Sequence, residues 1–233
     1  MNASFRENGF AIIENVYSHS ECDSLIALID AASGTQDTFR RSANLFAIRQ
    51  LLKEIPEAIP AIFNGKLRTL IDSDLGPGYF PVKSIYFDKP TDSNWFVAYH
   101  QDLTISVNTK TDFEGYSAWT VKQNQFAVQP PLAVLENSVT LRIHLDDTDE
   151  YNGALNVLKG SHRKGICRPE TITTTQESEH CCRVKKGGLM LMKPLLMHAS
   201  HRSSSGRRRR VIHIEFSDME LPEPLQWAER LHL

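Results

Sequence analysis

This sequence predicts an α+β chain with a mainly β core, a jelly roll or cupin-like double-stranded β-helix with N-terminal helices packed on one sheet. Two observations carry that reading. Up to about residue 75 apolar side chains recur at helical spacing, and from Phe80 onward the period drops from about 3.6 to 2, the signature of half-buried strands. The strands are short and separated by Gly, Pro and Ser turns, with the helices confined to the front.

The elements follow in order. After a short apolar run at 10–16, Ser18 and Ser20 offer N-caps and Glu21 can act from the first turn of a helix over 22–32, where Leu25, Ile26, Leu28 and Ile29 keep helical spacing. Helical patterns over 44–55 and 58–73 end at the breaker Gly76-Pro77-Gly78. Strands are expected at 81–89, 96–107, 139–146, 154–158, 182–184, 189–193 and 208–216. Residues 108–137 break the pattern, and a stretch of about 30 residues between two strands predicts a lid or binding loop. With no repeat and no linker, residues 1–233 read as one domain: helical support at 1–79, a β core at 80–216 with the insert 108–137, and a tail at 217–233.

Composition narrows the function. Hydrophobic residues at 41% and charged residues at 23% are the mixture of a chain with a packed core. The 26 Lys and Arg against 28 Asp and Glu give a net charge of −2, which removes the electrostatic case for nucleic acid as a partner. The apolar stretch 188–196 is broken by Lys193 and Pro194 and falls short of the roughly 20 residues of a membrane span. The first nine residues lack an apolar signal core, and Cys22, Cys167, Cys181 and Cys182 are too irregular for a disulfide framework. A cytoplasmic protein acting on a small molecule is expected.

The chemistry starts at Tyr99-His100-Gln101-Asp102-Leu103. In a strand, residues two apart share a face, so His100 and Asp102 project together. An imidazole beside a carboxylate supplies two of the three ligands of a facial triad, which leaves open positions on Fe(II); a third, distant ligand is still required. The polar positions His100, Asp102, Thr104 and Ser106 alternate with Leu103, Ile105 and Val107, and Thr140, Arg142, His144 and Asp146 alternate with apolar neighbours in the same way. Such faces meet either water, as in a one-sided antiparallel sheet, or the interior of a barrel that houses a polar site.

His198 tips the balance toward the interior. Arg202-Ser203-Ser204-Ser205-Gly206 reads as a turn before the strand 208–216, and a hairpin pivoting between Ser203 and Ser204 sets His198 opposite Arg209. The planar fork of Arg209 then suits the far carboxylate of a chelated dicarboxylic acid, while its neighbours Arg207, Arg208 and Arg210 read as a solvated patch. Lys89, Thr104, Trp119, Arg142 and His144 are expected to line the substrate pocket.

With these residues in place the chain resembles the phytanoyl-CoA dioxygenase family of Fe(II)- and 2-oxoglutarate-dependent oxygenases. The resemblance rests on Glu7-Asn8-Gly9-Phe10-Ala11-Ile12-Ile13, Phe87-Asp88-Lys89-Pro90, His100-Gln101-Asp102, Asn152-Gly153-Ala154-Leu155 leading to Gly160-Ser161-His162, and His198 followed eleven residues later by Arg209. It implies a double-stranded β-helix, iron on His100, Asp102 and His198, and the 5-carboxylate of 2-oxoglutarate on Arg209. It also implies O₂ as cosubstrate and, in the usual outcome, hydroxylation with release of succinate and CO₂. The chain departs from the family in having Ser203 where many members have Asn, and in the longer segment 108–137, so phytanoyl-CoA is not the expected substrate. A cupin-type binding protein, a metal-dependent isomerase or hydrolase, or a catalytically silent member could use the same ligands. Arg209 discriminates against the first two, because a dicarboxylate cosubstrate explains an Arg beside a metal ligand.

Overall fold

The structure, a computed structural model, describes residues 3–32, 38–42, 45–91, 96–122, 125–168 and 179–232. Among them fourteen strands form: β1 (Phe10–Ile13), β2 (Phe39–Ser42), β3 (Leu45–Arg49), β4 (Phe80–Lys89), β5 (Val97–His100), β6 (Ile105–Val107), β7 (Ser117–Lys122), β8 (Gln125–Gln129), β9 (Val139–His144), β10 (Leu155–Leu158), β11 (Glu179–Cys182), β12 (Leu189–Met192), β13 (His198–Ser200) and β14 (Arg209–Ser217). They assemble into a seven-stranded sheet in the order β1-β12-β9-β14-β4-β3-β2, a four-stranded sheet β11-β10-β13-β5, and a three-stranded sheet β6-β8-β7. All pairings in the two larger sheets are antiparallel, and the arrangement is the jelly roll expected from the alternating pattern.

The first 79 residues are less helical than their periodicity suggests. The helix His19–Ala31 forms, opened by a capping box in which the Glu21 N–H donates to Ser18 Oγ at 3.2 Å and the Ser18 N–H donates to Glu21 Oε2 at 2.7 Å. The expected helix 44–55, by contrast, is strand β3 followed by one helical turn, Leu51–Glu54. A short apolar run fits both periods, and here β4 supplies a ladder, with Phe46 opposite Asp88 and Ile48 opposite Tyr86. The pattern at 58–73 breaks into Ile59–Ile62, Gly65–Leu70 and a wide turn at Ile71–Leu75. The run at 10–16 contributes β1, because Phe10 to Ile13 pair along β12. The described residues of the insert 108–137 include β7, β8 and the helix Leu132–Asn137.

The two faces of the seven-stranded sheet differ sharply. One face carries Ile48, Tyr86, Leu141, Ile143, Ile212, Ile214 and Phe216 into a core shared with Leu25, Ile29, Phe63 and Leu67 of the N-terminal helices. Each fully buried side chain of this size contributes roughly 1.5–3 kcal/mol. The opposite face is polar. Across one rung stand Arg49, Ile85, His213 and Arg142, and across the next stand Lys83, Glu215 and Thr140. Burying this many charges costs stability unless they are paired or used, which places the function on this side.

Candidate active site

The site is built where the two larger sheets face each other. Strand β5 ends at His100, and residues 101–104 leave the ladder, so the expected single strand 96–107 is in fact β5 and β6 with a loop between them. That loop is pinned, since the Asp102 N–H donates to Pro194 O at 2.9 Å. His198 opens β13 directly opposite His100, their ring centroids 4.2 Å apart. Donor atoms of His100, Asp102 and His198 all lie within 4.8 Å of one another, a group that could hold a metal ion.

The ring nitrogens have definite roles. His100 Nδ1 lies 2.9 Å from Ala98 O and His198 Nδ1 lies 2.9 Å from Leu196 O. A carbonyl only accepts, so each Nδ1 carries a proton and each Nε2 is the ring atom left to face the cavity donors. Those Nε2 atoms sit 4.0 Å and 3.8 Å from the Asp102 carboxylate, too far for a direct hydrogen bond and suited to three donors around one cation. Burial lowers the His198 pKa to about 4, keeping the ring neutral. Burial would raise Asp102, but His198, His213, Lys83 and His100 outweigh it and hold its pKa at about 2. At neutral pH both groups are in the form a metal needs.

Gln101, between two of these donors, ties the loop to the rest of the fold. Its Nε2 donates to Gly165 O at 2.9 Å and Leu195 O at 2.6 Å, and its Oε1 accepts from the Cys167 N–H at 2.8 Å. Gln101→Leu should leave three backbone groups unpaired and loosen Asp102, lowering the affinity of the three donors for a divalent metal about 10- to 100-fold, the usual cost of losing an outer support. Metal titration of the variant checks this; unchanged affinity would remove Gln101 from the argument.

A cavity of about 250 Å³ opens on the three donors and is lined also by Arg49, Phe87, Leu155, Ser200, Arg209 and His213, with Arg142 at its back. Arg209 is 6% exposed, its Nη1 donates to Gly153 O, and its Nε has no partner among the described residues. Burial lowers its pKa to about 9, and Arg142 adds to the effect. Gly153 has φ +85°, and a Cβ there would meet Lys89 Nζ at 2.8 Å and His201 O at 2.9 Å. Only glycine places its carbonyl under Arg209 without displacing these neighbours.

The expected hairpin does not exist. β13 pairs with β10 and β5, β14 pairs with β4 and β9, and Arg209 lies opposite Lys89. His198 and Arg209 therefore reach one cavity from different sheets, because the connection 201–208 crosses between layers.

The residues expected to line the pocket separate. Arg142 lines the cavity, and Lys89 is buried behind Arg209 with Nζ on His201 O at 2.9 Å; burial, then Arg209, lowers its pKa to about 8. His144 bonds Thr148 Oγ1 at 2.8 Å and is not among the described residues lining the cavity. Thr104 lines a neighbouring space of about 190 Å³ that shares Arg49 with the first. Trp119 packs against the cluster of Val107, Val128 and Trp227 instead. Sequence reading missed Ser200 and Arg49. Ser200 sits two residues after His198 on the same strand, a spacing that could have flagged it, whereas Arg49 was concealed by the helical pattern.

The family model for phytanoyl-CoA dioxygenase matches residues 5–211. The chain belongs to the phytanoyl-CoA dioxygenase family. As such it is a non-haem iron oxygenase dependent on 2-oxoglutarate. No curated protein sequence matches this family member. Among solved structures, it is similar to EctD from S. alaskensis with bound Fe (TM-score 0.70, 17% identity, 95% of this chain and 78% of that one). It is similar also to AviO1 from Streptomyces viridochromogenes Tue57 (TM-score 0.64, 19% identity, 94% of each chain). A third is HygX from Streptomyces hygroscopicus with nickel and 2-oxoglutarate bound (TM-score 0.64, 14% identity, 91% and 84%). At these identities the likeness speaks for the fold.

Proposed function

We propose that His100, Asp102 and His198 hold Fe(II), that Arg209 holds the far carboxylate of 2-oxoglutarate, and that the enzyme hydroxylates a small organic substrate with release of succinate and CO₂. The observation that carries this is the convergence of two imidazole Nε2 atoms and one carboxylate in a cavity that also holds a buried, incompletely paired arginine. Fe(II) with 2-oxoglutarate and O₂ supplies an oxidant for C–H bonds. The residues of the chain bind and aim. Backbone carbonyls 98 and 196 fix both imidazole tautomers, Gln101 and Pro194 hold the loop that carries Asp102, and Gly153 holds Arg209.

We assign substrate selection to the insert 108–137, supported by Thr120, Gln125, Phe126 and Ala127 lining the neighbouring space. No helix among the described residues is long and apolar enough to cross a membrane, and all four cysteines are free, which fits the cytoplasmic location we favour, with nucleic acid playing no part.

Anaerobic titration of the apoprotein with Fe(II) and then 2-oxoglutarate is expected to produce the visible charge-transfer band of a chelate. Its absence would favour a cupin-type binding protein that uses the same three donors.

A further inference from the structure

With Arg209 given to the cosubstrate, a second buried arginine still faces the same cavity. Arg142 is 7% exposed. Among the described residues its guanidinium makes one hydrogen bond, from Nη1 to His213 Nδ1 at 3.0 Å, while Nε is buried without a partner and Nη2 has none. Nε and Nη2 form one edge of the guanidinium, the edge that engages a carboxylate bidentately. The side chain lines the cavity shared by His100, Asp102 and His198, and neither atom of that edge has a partner among the described residues.

The side chain is held ready. Because Arg142 can only donate, His213 Nδ1 accepts and the ring is neutral, so its Nε2–H donates to Glu215 Oε1 at 3.2 Å; Glu215 in turn accepts from Lys83 Nζ at 2.7 Å. Arg142, His213 and Glu215, with the half-buried Lys83, thus form a chain that fixes the guanidinium and leaves it with no anion in hydrogen-bond contact among the described residues. Burial lowers the Arg142 pKa to about 10 despite the attraction of Asp102, consistent with a cation that has no anion in contact. A dry, unmatched charge is costly and becomes intelligible if a ligand supplies the anion.

The strand register separates this arginine from the one given to the cosubstrate. Arg142 shares a rung with His213, four residues along β14 from Arg209, so the two arginine rungs stand about 13 Å apart at about 3.3 Å per residue. A single diacid chelated at the metal and anchored on Arg209 extends toward that end of the sheet.

We propose that Arg142 binds a carboxylate of the organic substrate, so that this oxygenase acts on a small acid. The proposal rests on the oxygenase reading above.

The test uses the Fe(II)- and 2-oxoglutarate-saturated enzyme under anaerobiosis, titrated with monocarboxylates from acetate to benzoate and with the matching primary amides. The charge-transfer band reports binding. Acids are expected to perturb it at concentrations about ten- to a hundredfold below their amides, the range of one charge-assisted hydrogen bond. Arg142→Gln should erase that preference while leaving 2-oxoglutarate affinity unchanged, and Arg142→Lys should restore part of it. Equal effects of acids and amides, or no effect of either, would overturn the proposal. So would weakened 2-oxoglutarate binding in Arg142→Gln when Arg142→Lys melts at the wild-type temperature, since this would place Arg142 in the cosubstrate site. If the wild-type enzyme shows no band before any acid is added, the oxygenase reading itself fails, and that result is distinct from the others.

Discussion

Asp102→Ala is expected to abolish turnover with little loss of fold. The carboxylate is the one anionic donor of the three, and it faces His100 and His198 within 4.0 Å. Removing a partner behind a ligand costs about 10- to 100-fold in metal affinity, so removing the donor itself should cost more. A bound metal contributes several kcal/mol to the reaction it assists, which corresponds to a loss of about a thousandfold or more in succinate release. Stability should change little, because Asp102 is half-buried at a cavity wall and its main-chain bond to Pro194 O survives the substitution. Iron competition against a chelator, succinate release and thermal melting together check the prediction. Wild-type iron affinity in Asp102→Ala would show that the three donors are not the metal site.

Arg209→Ala should act on the cosubstrate alone. Truncating one member of a buried, hydrogen-bonded charge pair costs about 2–5 kcal/mol, so the KM for 2-oxoglutarate should rise from about 30-fold to several thousandfold. Arg209→Lys should fall between, because an ammonium keeps the charge but loses the planar fork. The geometry supports this split. Arg209 reaches the cavity from β14 while the three proposed metal donors stand on β5, β13 and the loop between β5 and β6, so iron binding should persist in both variants. Succinate release at varied 2-oxoglutarate in the presence of Fe(II) reads the effect, and an unchanged KM would detach Arg209 from the cosubstrate.

Both predictions depend on residues that the sequence reveals to different degrees. His100 and Asp102 are legible as a pair from their two-residue spacing, but the strand ends at His100, so Asp102 joins the site from a loop held by its N–H on Pro194 O. The alternation in 139–146 marks a polar face, and β9 has one. The helical pattern at 22–32 survives because Cys22, Leu25 and Ile29 fall on one buried face and the capping box at Ser18 adds a local signal. The segment 45–49 lacks such a signal. Five residues of which four are apolar satisfy either period, and the choice falls to β4, whose open edge offers hydrogen bonds that a short isolated helix cannot match.

What the sequence by itself determined is local: which residue types stand two apart, where the period changes from 3.6 to 2, and that a histidine, an aspartate and an arginine of the right chemistry are present. What only the tertiary structure decided is partnership. It set His198 opposite His100 instead of Arg209, put Arg209 beside Lys89, and brought Arg142, with Nε unpartnered among the described residues, to the wall of the same cavity. The physical reason is that strand pairing joins residues far apart in the chain, and its register follows from how whole sheets bury their apolar faces, which no short window of sequence contains.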